Sequence, residues 1–139
     1  MKMEVALAMI HQEGRWLLQL RADDPRIVAP GCWGLFGGHL DPGETPEAAL
    51  RRELVEELSW QPDQLSYASE HHLHQRKVHV YCCELTLPLA ALQLRDGQDM
   101  VLVRAEEILS GAIRSERLNS THPLADGLLN VIADELKRY

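Results

Sequence analysis

Residues 38 to 60 carry the most informative pattern of the chain: Gly38-His39-Leu40-Asp41-Pro42-Gly43-Glu44, seven further residues, then Arg52-Glu53-Leu54-Val55-Glu56-Glu57-Leu58-Ser59-Trp60. Thr45 suits a helix N-cap, because its hydroxyl accepts from an orphan backbone N–H. Pro46 at the first helical position gives up a donor that had no partner there. Glu47 in the first turn complements the helix dipole. Leu50, Leu54 and Leu58 recur every four residues as an apolar stripe, so the spacing predicts a helix over Pro46–Leu58. That helix places Glu53, Glu56 and Glu57, spaced i, i+3, i+4, on one face within a turn. Carboxylates so close repel one another, and protonation, a cationic partner or a metal must offset the repulsion.

Hard divalent cations take oxygen ligands and neutralise such a cluster directly. A backbone carbonyl adds a ligand where the chain approaches closely, which Gly37-Gly38 permits. Arg52, one turn before Glu56, is placed to hold a carboxylate by a charge-assisted bond, and Glu44 reaches the cluster from the loop side. Metal ions held this way suit phosphoryl chemistry, with one carboxylate left to take a proton from water. Three glutamates alone would read as a solvated helix face. The full pattern of six fixed residues and two apolar positions arises by chance with a probability on the order of 10⁻⁶, taking residue usage of ~7% each.

The flanks fill in the architecture. Val5–Ile10 and Trp16–Leu20 are apolar runs joined by His11-Gln12-Glu13-Gly14, which reads as a hairpin. A charged loop over Arg21–Pro30 precedes a short strand at Trp33–Phe36, and Asp41-Pro42-Gly43 marks a turn. Leu65–Ser69, Val78–Leu85 and Met100–Val103 read as strands, Ala105–Leu109 as a short helix and Pro123–Lys137 as a closing helix. Interleaved strands and helices predict an α/β (α+β) domain spanning residues 1–139, with helices on both faces of a sheet.

Composition bounds the function. The 139 residues carry a formal charge of −7, against the sign a duplex-binding surface needs, so a nucleic acid polymer is excluded while a cation-bridged nucleotide is not. The apolar run at Val5–Ile10 is far short of the ~20 residues of a membrane span, and no signal peptide follows from it, so no membrane partner is expected. Cys32, Cys82 and Cys83 form neither a C-x-x-C pair nor an even framework; reduced thiols in a cytoplasmic protein are the expectation.

The stretch resembles the Nudix box, G-x5-E-x7-R-E-U-x-E-E-x-G-U with U apolar: Gly38, Glu44, Arg52, Glu53, Leu54, Glu56, Glu57 and Trp60 match it. The flanking element order is also similar to that family's α/β/α sandwich with a mixed central sheet. The resemblance implies that Glu53, Glu56 and Glu57 bind Mg²⁺ or Mn²⁺, with the Gly38 carbonyl as a further ligand. It implies catalytic roles for Glu53, Glu56 and Arg52, one glutamate serving as base. Asp96, in Arg95-Asp96-Gly97-Gln98, resembles an acidic segment that completes the metal site in relatives that clean the nucleotide pool. Two positions depart from the pattern. Ser59 stands where the family has glycine, at a helix end where φ > 0 costs a non-glycine residue roughly 1 kcal/mol. Phe36 stands where many relatives carry proline, and no mechanism attaches to it.

For substrate contacts, the candidates are Arg21 in the loop before the box, Trp33, Gly37 and Thr121. Solvated loop charge is the favoured reading of Arg21 and Arg26, and core packing that of Trp33, with stacking on a base as the alternative. Thr121-His122-Pro123 lies where relatives that sanitise oxidised guanine nucleotides resemble Asn-x-Pro, and its lack of asparagine weighs against that substrate. His71, His72, His74 and His79 lack zinc-like spacing, and read as loop or substrate-facing residues. The expected substrate is a nucleoside triphosphate, split to monophosphate and pyrophosphate by a monomer or homodimer. ADP-ribose or another nucleotide sugar is the alternative. A nucleotide-sensing module without catalysis is a different class, and retention of every box glutamate argues against it.

Overall fold

A computed structural model describes residues 3–138. Strand β1 (Met3–Gln12) runs into β2 (Arg15–Leu20) through Glu13 and Gly14, both with φ > 0, the twist-matched geometry of a two-residue hairpin. Then follow β3 (Trp33–Gly34), β4 (Phe36–His39), α1 (Pro46–Leu58), β5 (Ser66–Leu73) and β6 (Arg76–Glu84). A 3₁₀ turn at Leu89–Ala91 leads to β7 (Asp99–Val103), α2 (Ala105–Leu109), β8 (Ala112–Ser115), β9 (Ser120–Pro123) and α3 (Leu128–Leu136).

Seven strands form one mixed sheet. The path β3-β2-β1-β6-β5 carries β4 on β1 and β7 on β2. Among the strand pairs of the described residues only β1–β6 is parallel, with Val5 opposite Val78 and Ile10 opposite Cys83. Side chains alternate along β1, and the alternation divides the core in two. Ala6, Ala8 and Ile10 face the stripe Leu50, Leu54 and Leu58 of α1. Leu7 and Met9 face Ile108 of α2 and Leu128, Val131 and Ile132 of α3. The result is the α/β/α sandwich with a mixed sheet that the sequence predicts. No helix among the described residues is long and apolar enough to cross a membrane.

Three boundaries differ from expectation. The short strand before the glycines is two strands: Trp33–Gly34 pairs with β2, whereas Phe36–His39 pairs with β1. The closing helix begins at Leu128, because Ser120–Pro123 pairs with Ala112–Ser115 as a separate hairpin. Four residues reading Ser-Thr-His-Pro carry no apolar alternation to announce a strand, and proline at its last position suits an edge. Finally, β5 continues to Leu73, so His71 and His72 lie on a strand rather than in a loop, and His74 occupies the tight turn with φ 57°.

Candidate active site

The site is built where β4 passes beneath the C-terminal half of α1. Helix α1 starts as its caps dictate, with the Thr45 hydroxyl accepting from the Ala48 N–H at 3.2 Å and Pro46 following. It ends at Ser59, which adopts the left-handed conformation (φ 55°, ψ 40°) normally given to glycine. Between these ends the leucine stripe anchors one face against the sheet and turns Glu53 and Glu57 toward Gly38 and Gly37.

Both glycines are required by close approach. A Cβ on Gly37, at φ 138°, would lie 2.0 Å from the Ala6 carbonyl oxygen of β1. A Cβ on Gly38 would lie 2.6 Å from the carboxyl carbon of Glu53. The carboxylate of Glu53 therefore rests directly on the Gly38 backbone, and any side chain at that position would displace it. On the adjacent position the Gly37 N–H donates to Glu57 at 3.2 Å.

Arg52 organises the outer half of the cluster. Its guanidinium grips Glu44 with two bonds, Nε to Oε2 at 2.8 Å and NH2 to Oε1 at 2.9 Å. NH1 donates to Glu53 at 3.0 Å and lies 3.4 Å from both oxygens of Glu56, while NH2 also donates to the His39 carbonyl at 3.1 Å. The carboxylate that the fork of the guanidinium meets in planar, bidentate fashion is Glu44, which approaches from the loop, while Glu56, one turn on, lies at longer range. That grip, aided by the Asp41 N–H, pushes the Glu44 carboxyl down to about 2, so Glu44 is fixed as an anion.

Glu57 is the counterpart. Burial pushes its carboxyl up to about 8, and the neighbouring Glu53 adds to the effect. The Gly37 N–H and the charge of Arg21 oppose the rise without cancelling it. Glu56, by contrast, is largely exposed, with 57% of its side chain accessible. The donor set facing the glycines is thus all oxygen and short of positive charge on the Glu57 side. It fits a hard divalent cation.

The remaining candidates fall in three groups. Arg21 lies close enough to bear on Glu57 electrostatically; its Nε donates to the Val28 carbonyl at 2.7 Å, and its terminal amino groups have no hydrogen-bond partner among the described residues. Asp96 is exposed in a loop whose Arg95 N–H donates to the Glu57 carbonyl at 3.2 Å. Trp33 is fully buried among the apolar residues beneath α3, and its indole N–H donates to the Ile113 carbonyl at 2.8 Å. Its ring faces are covered, so stacking on a base is corrected to a core role. Thr121 is exposed on β9 opposite Arg114, in the hairpin whose strand β8 receives that indole bond.

One grouping went unread in the sequence. His71 of β5 and Asp134 and Glu135 of α3 bring their ligand atoms within 4.8 Å of one another. Glu135 is 1% exposed and accepts from the Ser69 hydroxyl, while His71 Nε2 lies 2.7 Å from the Ser69 oxygen. A chain from ring N–H to hydroxyl to carboxylate satisfies all three groups. The contact joins strand to helix across the hydrophobic layer, a pairing that local pattern cannot announce.

A family model described as the NUDIX domain matches residues 1–117. The chain belongs to the Nudix family. Among curated proteins it is similar to the nucleoside triphosphatase NudI of Escherichia coli O1:K1, 49% identical over 57 residues, which cover 41% of this chain and 40% of that protein. The chain therefore spans less than half the length of the curated relatives it matches. Among solved structures it resembles the E. coli ORF135 protein, at TM-score 0.69 and 26% identity over 98% of this chain and 89% of that one. It also shares its fold with the Nudix domain of Shewanella oneidensis NrtR, solved with ADP ribose, at TM-score 0.72 and 20% identity over 99% and 88% of the two chains.

Proposed function

We propose that this Nudix chain hydrolyses a phosphoanhydride bond of a nucleoside triphosphate, releasing monophosphate and pyrophosphate. The observation that carries the reading is the half-buried Glu57 beside Glu53 on the Gly37–Gly38 backbone, an oxygen-lined recess in need of positive charge. Glu53, Glu56, Glu57 and the Gly38 carbonyl would hold Mg²⁺ or Mn²⁺, with Asp96 added from the 93–98 loop. Bound there, divalent ions neutralise the diphosphate charge and acidify water.

The chain's own groups supply the rest. Arg52 keeps Glu44 and Glu53 in place, so the cluster does not splay toward solvent. Glu56 has only long contacts to Arg52 and is the carboxylate free to take a proton from the attacking water. The uncommitted amino groups of Arg21 suit a substrate phosphate oxygen. Gly37 brings bare backbone to the same place, whereas Thr121 has no contact to this cluster among the described residues and stands only as a contact for a distal part of the substrate. The triphosphate reading is supported by the likeness to a nucleoside triphosphatase, and ADP-ribose is the second reading because the similar NrtR domain was solved with that ligand.

The test is a screen of triphosphates, dinucleotides and nucleotide sugars with Mg²⁺ and Mn²⁺ compared. Pyrophosphate from a triphosphate is the expected product. Phosphate esters released from ADP-ribose alone transfer the assignment to the second reading. Glu53→Gln and Glu56→Gln should each lower divalent-dependent turnover by about 10²–10⁴-fold while keeping the native circular dichroism. Undiminished turnover in both variants overturns the site.

A further inference from the structure

We infer that Ser59 and Arg95 form a clamp that fastens the 93–98 loop to the end of the metal-binding helix, and so positions Asp96 against the glutamates. The inference rests on the proposed reading of Asp96 as an outer metal ligand, and assigns Ser59 and Arg95 as positioning residues.

The starting point is a cost. Ser59 holds φ 55°, where a side chain is disfavoured by about 1 kcal/mol relative to glycine. Its hydroxyl accepts two bonds from one guanidinium, Arg95 Nε at 3.2 Å and NH2 at 2.5 Å. The same arginine donates its backbone N–H to the Glu57 carbonyl at 3.2 Å, and the Gln93 N–H donates to the Leu58 carbonyl at 3.2 Å. Helix α1 has no basic residue in its last turn. Arg95 therefore brings to its C-terminal carbonyls both a backbone donor and the positive charge that the helix dipole favours there.

The loop is tied equally on its other side. The Gln98 N–H donates to the Leu20 carbonyl at 2.8 Å, and its side-chain amide donates to the Arg21 carbonyl at 2.9 Å. Gly97 packs closely against the end of β2, where a Cβ would sit 3.0 Å from the Leu20 carbonyl oxygen. Asp96 thus lies between two anchored neighbours, one fixed to α1 and the other to the end of β2 beside Arg21. A serine at this cap supplies a hydroxyl to the loop, which glycine cannot do. The same serine that strains the helix end ties down the loop, and the tie runs to the residue directly before the outer acid.

The experiment separates a clamp from a cap. Mn²⁺ affinity is measured by paramagnetic resonance without substrate, together with hydrogen exchange of the 93–98 amides and the melting temperature. Wild type is compared with Ser59→Gly, Ser59→Ala, Ser59→Asn, Arg95→Gln and Asp96→Asn. Ser59→Gly relieves the strain, so it should melt at or above wild type, yet bind Mn²⁺ about fivefold more weakly and exchange faster across the loop, as expected for one lost charge-assisted hydrogen bond. Ser59→Ala should lose both stability and affinity. Ser59→Asn tolerates φ > 0 and offers an amide oxygen, so it should restore Mn²⁺ binding. Arg95→Gln should match Ser59→Gly in affinity. Wild-type Mn²⁺ affinity in Ser59→Gly and Arg95→Gln, with Asp96→Asn weakened, overturns the clamp and leaves the ligand assignment standing. Unchanged affinity in Asp96→Asn overturns the ligand assignment, and with it the purpose given to the clamp, while Mn²⁺ binding that still depends on Glu53 keeps the box site intact.

Discussion

Glu44 and Glu57 belong to the same box, yet the fold treats them in opposite ways. Glu44 is met by a guanidinium in bidentate geometry and held ionised, with its carboxyl down at about 2. Glu57 is half-buried beside another carboxylate, meets one backbone N–H, and is pushed up to about 8. The difference lies in where the positive charge comes from. On the Arg52 side the chain provides its own cation and the result is a rigid brace. On the Glu57 side the chain provides too little, and an external cation has a place to act. A site that balanced both halves internally would have no use for a metal.

The largest break in this comparison comes from the deficient half. Glu57→Gln removes a charged oxygen donor from the recess, and divalent-dependent turnover should fall about a thousandfold, the several kcal/mol of charge stabilisation a metal supplies. A loss confined to a few-fold means that the ion sits elsewhere. Arg52→Met breaks the braced half. It leaves Glu44 and Glu53 without their cation, and either turnover or Mg²⁺ affinity should drop about 10–100-fold, the usual effect of losing a group that holds ligands in place. Retained affinity in that variant would mean that Glu53 needs no brace. Gly38→Ala acts more finely, because the added methyl meets a movable carboxylate rather than backbone. Its melting temperature should stay near wild type while turnover falls about tenfold, one displaced ligand's worth. Gly37→Ala at the neighbouring position meets the Ala6 carbonyl instead and should lower the yield of folded protein.

How much of this was legible in the sequence follows from the range of the interactions. Helix α1 was readable because its signals are local: Thr45 and Pro46 open it and the leucines set its face, whereas of the three acids Glu53 and Glu57 meet the glycines and Glu56 stays exposed. Ser59 was readable as a strained cap for the same reason, and it does adopt φ 55°. The two-faced sandwich followed from alternation in β1 and periodicity in α1. What local pattern could not carry was partner choice across the fold. Arg52 has several acids within reach in sequence, and only the path of the Asp41–Glu44 turn selects Glu44. Trp33 looks alike whether it stacks on a ligand or fills a core, until Ile113, 80 residues away, takes its indole bond. Likewise the contact of His71 with Glu135 joins residues 64 positions apart. The β8–β9 hairpin was missed because its strands are four residues long and bury a single apolar side chain, Ile113, too little to read as a period.

The smallest expected effect separates the two carboxylates by sign. Glu44 lies below its ordinary value of 4.5, so its stabilising contribution is full above that pH and is lost as pH falls toward about 2. Glu57 lies above the same ordinary value, so its contribution is full below 4.5 and is lost as pH rises through about 8. In metal-free protein the melting temperature should therefore decline by a few degrees as pH rises from about 4.5 to about 8, and Glu57→Gln should flatten that decline while leaving the acid limb unchanged. Glu44→Gln should do the reverse. Added Mg²⁺ binds only the ionised carboxylate, so it should raise the melting temperature more above pH about 8 than below it. If that decline survives in Glu57→Gln, some other group carries it, and the contrast between a braced half and a cation-deficient half loses its physical basis.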